Sequence, residues 1–344
     1  TYYSNGDNAP NLVGSWKTNR DGTGTSPANF TSGNIFIIQG SGNGGTTPHS
    51  MTTTANWTVS GANSVVIIEN GATLTASNTF TLAATSFFQI DNGGSYVQNI
   101  AASMGTTTFI GTEIFGATSN FTYNFAPSGT SAPSSPGYGN LTINTSTNGA
   151  NFGWAGTVSQ VQGNLNILST GTGTIRHALT AAPNIAVSVG GNFTLSGTNT
   201  NFWLSSGAGT CALTVGGDVS ISGSALLDLA NSTGAGTLNI GGSFSQTGGT
   251  FTSNSAVSTV AFTGTGKTFT QSAGTLTSTN INWVVNNGAS LTLINNLPVA
   301  TTRTVAVNGT LDCSTLAITG AGTAVVNNGG IIKLGSTSAS GAVA

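Results

Sequence analysis

The sequence predicts an all-β chain and, within that class, a right-handed parallel β-helix (β-solenoid) with rungs of about 20–27 residues. Three observations predict this fold. Apolar residues alternate with polar ones in short runs, and glycine-rich turns recur at a regular spacing. Charged residues make up only 4% of the 344, against about 25% in ordinary soluble domains.

The alternating runs are the strand signal. Apolar side chains occupy every second position, as in Phe193-Thr-Leu195, Leu213-Thr-Val215 and Leu238-Asn-Ile240. Period two places these side chains on one face of a strand, whereas an amphipathic helix would repeat them at three and four residues. No window of a dozen residues shows the helical spacing. The runs therefore predict short β-strands throughout.

The turns give the rung length. Glycine turns recur at Gly163, Gly190-Gly191, Gly216-Gly217 and Gly241-Gly242, a nearly constant spacing within the range expected of one rung. A second family consists of Asn-Gly steps, which favour tight turns because both residues tolerate positive φ. Its members begin at Asn70, Asn92, Asn287, Asn308 and Asn328. A repeat of this length with several short strands is typical of a β-solenoid.

The scarcity of charge fits the same architecture. Stacked rungs place like residues above like, so a Lys or Glu repeated in register would repel its neighbours. Parallel coils are expected to be right-handed for the steric reason that governs β-crossovers. A tandem of β-sandwiches also has frequent turns, but the single repeat length and the low charge favour the solenoid. Disorder of the whole chain is disfavoured by a mean hydropathy of +0.13.

Two regions are expected. Residues 1–34 are predicted to be an N-terminal cap or a subunit-docking segment, and residues 35–344 the parallel β-helix. The β-helix carries a loop-rich excursion around residues 126–139, which read APSGTSAPSSPGYG from Ala126. This excursion and residues 336–344 are the stretches where disorder is expected.

The N-terminal segment holds the candidate subunit-docking residues Tyr2, Tyr3 and Trp16. An open solenoid exposes edge strands, which proteins usually cover with a helix, charges or prolines. The sequence shows no helical cap at either end. The aromatic side chains therefore either pack on the first rung of their own chain or dock on the last rung of another copy. Contacts of the second kind do not close and build filaments.

Several strings near the N-terminus resemble the start of large exported β-helix proteins of Bacteroidetes. They are Thr1-Tyr-Tyr-Ser-Asn-Gly6, Gly14-Ser-Trp16, Arg20-Asp21-Gly22 and Gly33-Asn-Ile-Phe-Ile-Ile38. Later rung elements of those proteins are matched by Glu69-Asn-Gly-Ala-Thr-Leu74 and Asn287-Gly-Ala-Ser-Leu291. The resemblance implies a surface adhesin or an extracellular polymer exported by type IX secretion.

Catalytic chemistry has little support in the sequence. Polysaccharide-active β-helix enzymes need clustered carboxylates or metal ligands on one outer face, and the acids are scattered. They are Asp7, Asp21, Glu69, Asp91, Glu113, Asp218, Asp228 and Asp312. Glu69 and Asp91 are the best pair, since each precedes an Asn-Gly turn and they lie one rung apart. Turn capping is the favoured role of both.

The remaining reactive residues also indicate structure rather than chemistry. His49 and His177 lie far apart in the chain with no acid near them in sequence, which supports neither a metal site nor a catalytic triad. Cys211 and Cys313 fall on apolar positions several rungs apart and are predicted to be small buried hydrophobic residues without a disulfide. We expect no enzyme activity, no cofactor and no metal.

The sequence therefore predicts a secreted structural protein, located outside the cell or on its surface. Its expected role is a filament subunit or adhesin stalk that stacks head to tail through its ends, with further copies of itself as the partner. Alternatives are a glycan-binding adhesin, then a polysaccharide-active enzyme or an ice-binding protein. Ice binding rests on the Thr-rich runs that begin at Thr106, Thr170 and Thr277. No binding to nucleic acid is expected from six basic residues, nor any membrane insertion.

Overall fold

The computed structural model describes residues 1–41, 47–100, 112–124, 137–145, 151–153, 158–178 and 185–335. Over these residues the chain is all-β, and its parallel strands stack into a β-solenoid of about ten turns. The fold class predicted from the alternating runs and the turns is therefore confirmed. Most of the loop-rich excursion and all of residues 336–344 lie outside the described residues. No helix in the described part is long and apolar enough to cross a membrane.

The chain divides into two compact units. The first comprises Thr1–Phe152 with Gln160–Gly163, and the second Gly153–Ser159 with Asn164–Ala344. One short 3₁₀ helix, Val13–Ser15, precedes β2. The strands of the first unit are β1 (Tyr2–Ser4), β2 (Trp16–Lys17), β3 (Ile35–Ile38), β4 (Ser50–Thr52), β5 (Trp57–Val59), β6 (Val65–Ile68), β7 (Thr73–Ala76), β8 (Phe80–Leu82), β9 (Phe87–Ile90), β10 (Ser95–Gln98), β11 (Thr112–Phe115), β12 (Asn120–Tyr123) and β13 (Asn140–Asn144), with β14 (Phe152–Gly153) at the unit boundary and β15 (Gln160–Val161).

Three parallel stacks build the rungs of the first unit. Strands β3, β6, β9 and β11 form one stack. Strands β4, β7, β10, β12 and β13 form the second. Strands β5 and β8 form the third. Each rung thus turns through successive faces, which brings residues from neighbouring rungs into register.

The second unit follows the same plan. Its strands are β16 (Leu165–Ser169), β17 (Thr174–Ala178), β18 (Ile185–Val189), β19 (Phe193–Leu195), β20 (Asn201–Ser205), β21 (Cys211–Val215), β22 (Val219–Ile221), β23 (Leu226–Ala230), β24 (Gly236–Ile240), β25 (Phe244–Thr252), β26 (Ser258–Phe262), β27 (Lys267–Thr277), β28 (Ile281–Val285), β29 (Ser290–Leu293), β30 (Leu297–Pro298), β31 (Thr304–Val307), β32 (Thr310–Ser314), β33 (Ile318–Thr319), β34 (Thr323–Val326) and β35 (Ile331–Leu334). One stack runs through β18, β21, β24, β26, β28, β31 and β34. A second runs through β17, β20, β23 and the C-terminal parts of β25 and β27. Among the described strands it ends there, whereas the N-terminal part of β27 pairs with β29.

The registers of the parallel strands measure the rung length directly. Most described pairs between successive rungs fall within the predicted repeat; Cys211, for example, is in register with Gly236, and Val65 with Phe87. Two pairs join residues that are slightly further apart in the chain, namely Ile35 with Val65 and Leu165 with Phe193. One pair, Thr304 with Thr323, is slightly closer. The rung length read from the turns is therefore confirmed for most of the coil.

The interior consists of ladders of apolar side chains. Leu213, Leu238, Val260, Trp283 and Val305 lie in register, one above the other, and none is more than 1% exposed. Burying one such side chain contributes roughly 1.5–3 kcal/mol relative to leaving it in water. The same alternation that predicted strands therefore also predicted which side chains form this core.

A ladder of polar side chains runs along the glycine turns of the second unit. The backbone N–H of Asn192 donates to Oδ1 of Asn164, at 2.8 Å. Asp218 donates in the same way to Asn192, at 2.8 Å, and Ser243 to Asp218, at 2.7 Å. The glycine before each residue leaves room for the oxygen below: a Cβ on Gly217 would lie 2.2 Å from Oδ1 of Asn192. The Gly-Gly steps are therefore required by the stacking itself.

The Asn-Gly steps are tight turns, as predicted, with the glycine supplying the positive φ. Gly71, Gly93, Gly288 and Gly329 have φ between 77° and 84°. At each of these four steps the residue after glycine donates to the carbonyl three positions back, at 2.8–3.0 Å. Positive φ only at the third residue is the pattern of a type II turn. The Asn308-Gly309 step is the exception, since Gly309 is not among the glycines with positive φ and Thr310 donates to Ala289 of the preceding rung.

Both cysteines are free and buried, as the alternation predicted. Burial raises the pKa of Cys211 to about 12 and also raises the pKa of Cys313. Since the thiolate is the reactive form, we expect neither thiol to react with DTNB in the native protein at neutral pH, and both to react after denaturation. Rapid release of one equivalent of thionitrobenzoate from native protein would contradict this placement.

Candidate functional site: the ends of the coil

The N-terminal segment covers one edge of the first rung. β1 pairs in parallel with β3, with Tyr2 opposite Phe36, and it pairs antiparallel with β2. The edge of β3 is therefore covered by β1, and the sheet ends on the two-residue strand β2. This pairing of the segment with its own chain is the arrangement expected of a cap.

Polar side chains of the N-terminal segment accept hydrogen bonds from backbone N–H groups of the first rung that no preceding described strand pairs with. Oδ1 of Asp7 accepts the backbone N–H of Ser50, at 2.7 Å, at the start of β4. Oδ1 of Asn11 accepts the N–H of Thr54, at 2.9 Å. Backbone donors of the first rung are thus satisfied by side chains, as buried or edge N–H groups must be.

Trp16 anchors the segment. It has no exposed surface, and its indole Nε1–H donates to the carbonyl of Pro10 at 2.8 Å. Its ring lies edge-on to Phe36, with centroids 5.1 Å apart, and stacks on Trp57 at 5.7 Å. The geometry gives this aromatic residue a partner within its own chain.

An ion pair also joins the N-terminal segment to the coil. The Arg20 guanidinium donates to both carboxylate oxygens of Glu69 and lies 4.4 Å from the ring centroid of Tyr3. The hydrogen bond to Glu69 is the main cause that raises the pKa of Arg20. The Glu69 carboxylate also accepts the N–H of Gly40, at 3.0 Å. Bidentate, charge-assisted contacts of this kind are strong and geometrically specific.

The three sequence-predicted docking residues therefore lie in the segment's contact with its own first rung. Tyr2 and Tyr3 are half-buried, while Trp16 is fully buried. Docking of the segment on another copy stays a prediction. The segment leaves two large apolar side chains exposed, Leu12 and Val13. Sequence reasoning did not single out these two residues.

The last described rung leaves more apolar surface exposed. β34 and β35 each pair with one described neighbour, β31 and β32 respectively. Val326 and Ile331 are 50% and 51% exposed, and Val325 and Leu334 are also exposed. In strands with a covered face, such side chains would be buried by the next rung.

Seven of the eight acids accept hydrogen bonds from their own chain. Besides Asp7 and Glu69, these are Asp21, Asp91, Asp218, Asp228 and Asp312. The proposed pair lies side by side, because Ile68 and Ile90 are in register and Glu69 and Asp91 follow them. The Glu69 carboxylate is held by Arg20, whereas the Asp91 carboxylate accepts a bond from Gln89 at 2.6 Å.

Glu113 is the exception and was not singled out by sequence reasoning. It lies on β11 at an inward position, in register with Phe88, and is 9% exposed. Burial raises its pKa to about 7. Burial also raises the pKa of Tyr123 and of Tyr138, and the nearby Glu113 carboxylate adds to both shifts. The available signal was the alternation in Thr-Glu-Ile-Phe, which places Glu113 on the same face as Phe115.

Among the described residues, no large aromatic side chain is in the exposed class and no group of three potential metal ligands occurs. Nδ1 of His49 lies 2.6 Å from Oγ of Ser4. Of the Thr-rich runs, the one at Thr106 lies outside the described residues, and Thr170 and Thr174 are buried. The side chain of His177 is also outside the description.

Comparison with known proteins places the chain in no family: no family model, curated protein or solved structure matches it.

Proposed function

We propose that this chain is an extracellular structural protein, a filament subunit or adhesin stalk whose copies stack head to tail through the ends of their coils. The extracellular location is part of the proposal and is supported by the resemblance of residues 1–38 to exported β-helix proteins. No catalytic step is assigned.

The observation that carries the proposal is the distribution of exposed apolar side chains. In the described part of the chain ten large hydrophobic side chains are exposed. Six of them belong to the N-terminal segment or the last described rung: Leu12, Val13, Val325, Val326, Ile331 and Leu334. Exposed apolar patches on a soluble chain mark interaction surfaces. Because the two patches consist of different residues, contact between them would be heterologous, and a heterologous contact that does not close propagates.

The contacts of the N-terminal segment with its own first rung limit how a contact with another copy forms. The inner side of the segment is used by the ion pair and by Trp16, so an incoming copy would meet its outer side. We therefore expect Leu12 and Val13, rather than Trp16, to contact the last rung of the next copy. The open backbone groups of β35 would then be covered by the incoming segment.

The test is negative-stain electron microscopy of concentrated protein, with variants at the last rung. Wild-type protein should form fibres, and the double variant Val326→Lys, Ile331→Lys should not, because two lysines would be buried at each contact. The matched control is Ile114→Lys, Val257→Lys, which places the same charge on exposed apolar side chains that belong neither to the N-terminal segment nor to the last described rung.

The control variant should assemble like the wild type. Isolated particles from wild-type protein at every concentration would overturn the proposal. Fibres that persist in the Val326→Lys, Ile331→Lys variant would show that the last rung is not the contact surface. Circular dichroism of all three proteins establishes that the comparison is between folded chains.

A further inference from the structure

A strand edge inside the second unit is left uncovered because one rung is shorter than the one before it. β29 pairs with β27 only over Lys267, Thr268 and Phe269. Lys267 is in register with Leu291, and Leu291 in turn with Leu311, so the later rung takes fewer residues to return to the same stack. No strand of the described part pairs with the far side of residues 272–277. We refer to these six residues as the β27 ledge.

The ledge has free backbone groups at a defined position. In the strand beneath it, the N–H of Thr250 donates down to Ala225, at 2.7 Å. In a parallel ladder the N–H and C=O of one residue point to the same neighbour, and successive residues alternate. Thr275 is in register with Thr250 and therefore faces down, so both backbone groups of Leu276 point towards the open side.

The side chains of the ledge suit contact with another uncharged strand. Ser272, Ala273, Thr275 and Thr277 are exposed, and Leu276 is half-buried. No charged residue and no proline occurs from Gln271 to Thr279, although these are the devices with which proteins usually protect open edges. Ile294, 51% exposed, lies at the corner above, where its N–H donates to Phe269.

We propose that the β27 ledge is a lateral pairing site for a second copy of this chain, with the two ledges antiparallel and centred on Leu276. The two Leu276 residues would exchange both backbone hydrogen bonds as a hydrogen-bonded pair. Thr275 of each copy would then lie opposite Thr277 of the other. The Thr-Leu-Thr sequence is its own complement in this arrangement, and Thr–Thr pairs are favourable across antiparallel strands.

A second copy is the occupant that the observations favour. The ledge ends a stack in which the last two strands read Thr250-Phe-Thr and Thr275-Leu-Thr, so the best-matched addition is a strand of the same pattern. The absence of charge means that two copies approach without electrostatic cost at this site. The inference is separate from the proposed stacking through the ends, since no residue of the ledge belongs to either end.

The test is sedimentation equilibrium in the Val326→Lys, Ile331→Lys background, so that end contacts do not contribute. We expect a reversible monomer–dimer equilibrium that Thr275→Lys, Thr277→Lys weakens by at least tenfold. In the dimer these substitutions place lysine directly opposite lysine. The matched control is Ala186→Lys, Ser188→Lys, with the same spacing on exposed positions of β18, a strand that β21 covers.

A charge-reversal experiment tests whether the pairing is specific. A Thr275→Glu, Thr277→Glu variant should also be monomeric alone, and mixing it with the lysine variant should restore a dimer. Misfolding of either variant could not produce this recovery. Monomeric background protein at all concentrations, or equal dimerisation of both lysine variants, would overturn the proposal.

Hydrogen exchange at the Leu276 amide provides an independent readout. Protection should rise with protein concentration, because the amide is paired only in the dimer. Full protection in the dilute monomer would mean that a segment of the same chain covers the ledge, which would also overturn the proposal.

Discussion

Raising the pH from about 4.5 to above 7 is expected to destabilise the protein through Glu113. Its pKa rises from 4.5 to about 7 on folding because burial disfavours the charged carboxylate. The folded state therefore binds the proton more tightly than the unfolded state. The stabilisation is fully present below pH 4.5 and is lost as the pH passes 7. At 1.36 kcal/mol per pKa unit the loss amounts to about 3 kcal/mol.

The surroundings of Glu113 explain why the charged form is disfavoured. Phe88 lies beside it in register, and Phe115 follows it on the same inward face with its ring stacked on Tyr138, 5.5 Å away. No described cation lies near its carboxyl group. Asp21 also has a shifted pKa, which hydrogen bonds from Thr23 lower below 3.8. That group titrates below the pH window assigned to Glu113.

Urea denaturation at a series of pH values measures this effect. The free energy of unfolding of the wild type should fall between pH 4.5 and 7.5, and Glu113→Gln should remove most of the slope because a neutral amide cannot ionise. Asp91→Asn is the control, since this half-buried acid lies on the neighbouring rung and accepts a hydrogen bond from Gln89. A slope that persists in Glu113→Gln would contradict the assignment.

Glu113 also illustrates what sequence reasoning could not reach. Its inward position follows from the alternation in β11, but a carboxylate at an inward position conflicts with the rule that buried charges are paired. A sequence alone gives no way to decide whether the alternation or the charge determines the placement. The scattered spacing of the acids, which separated Glu113 from any acidic pair, concealed its burial.

The fold could be predicted from the sequence because the patterns that determine it are local. Alternation, Gly-Gly steps and Asn-Gly steps each act within a few residues, and the repeat length then fixes the stacking. The role of the N-terminal segment was ambiguous because its contacts join residues far apart in the chain, such as Tyr2 with Phe36 and Arg20 with Glu69. The β27 ledge could not be predicted from the sequence for the same reason, because it results from the difference in length between two successive rungs.

The hydrogen bonds between polar side chains of neighbouring rungs could be predicted only in part, and Asp228 is an example. It lies on β23 with no exposed surface. Oδ1 accepts the N–H groups of Ala230 and Asn254, at 3.1 and 3.2 Å, and Oδ2 accepts the side-chain amides of Asn231 and Asn254, at 3.0 and 2.7 Å. The sequence identified Asp228 only as a scattered acid. Its hydrogen bonds reach into the next rung and join the two rungs at a corner.

Removing this carboxylate should therefore be among the most damaging single substitutions in the second unit. Asp228→Ala leaves four donors without their acceptor, of which the Ala230 N–H is buried and the other three are part-buried. A buried donor without a partner costs about 1–3 kcal/mol, and a part-buried one costs less because water can reach it. Since each hydrogen bond to a charged group contributes about 1.5–3 kcal/mol, we expect a net loss of at least about 3 kcal/mol in the free energy of unfolding, measured by urea denaturation at fixed pH. Asp228→Asn keeps one acceptor oxygen and should lose clearly less.

The control is Asp312→Ala, because Asp312 accepts a single exposed N–H, that of Ser314, at 2.9 Å. Its loss should stay below about 1 kcal/mol, as for a typical exposed hydrogen bond. Equal effects of Asp228→Ala and Asp312→Ala would mean that the corner between the rungs is held by the apolar ladder alone. A large difference would instead assign part of the cohesion of successive rungs to side chains that accept hydrogen bonds from the rung above.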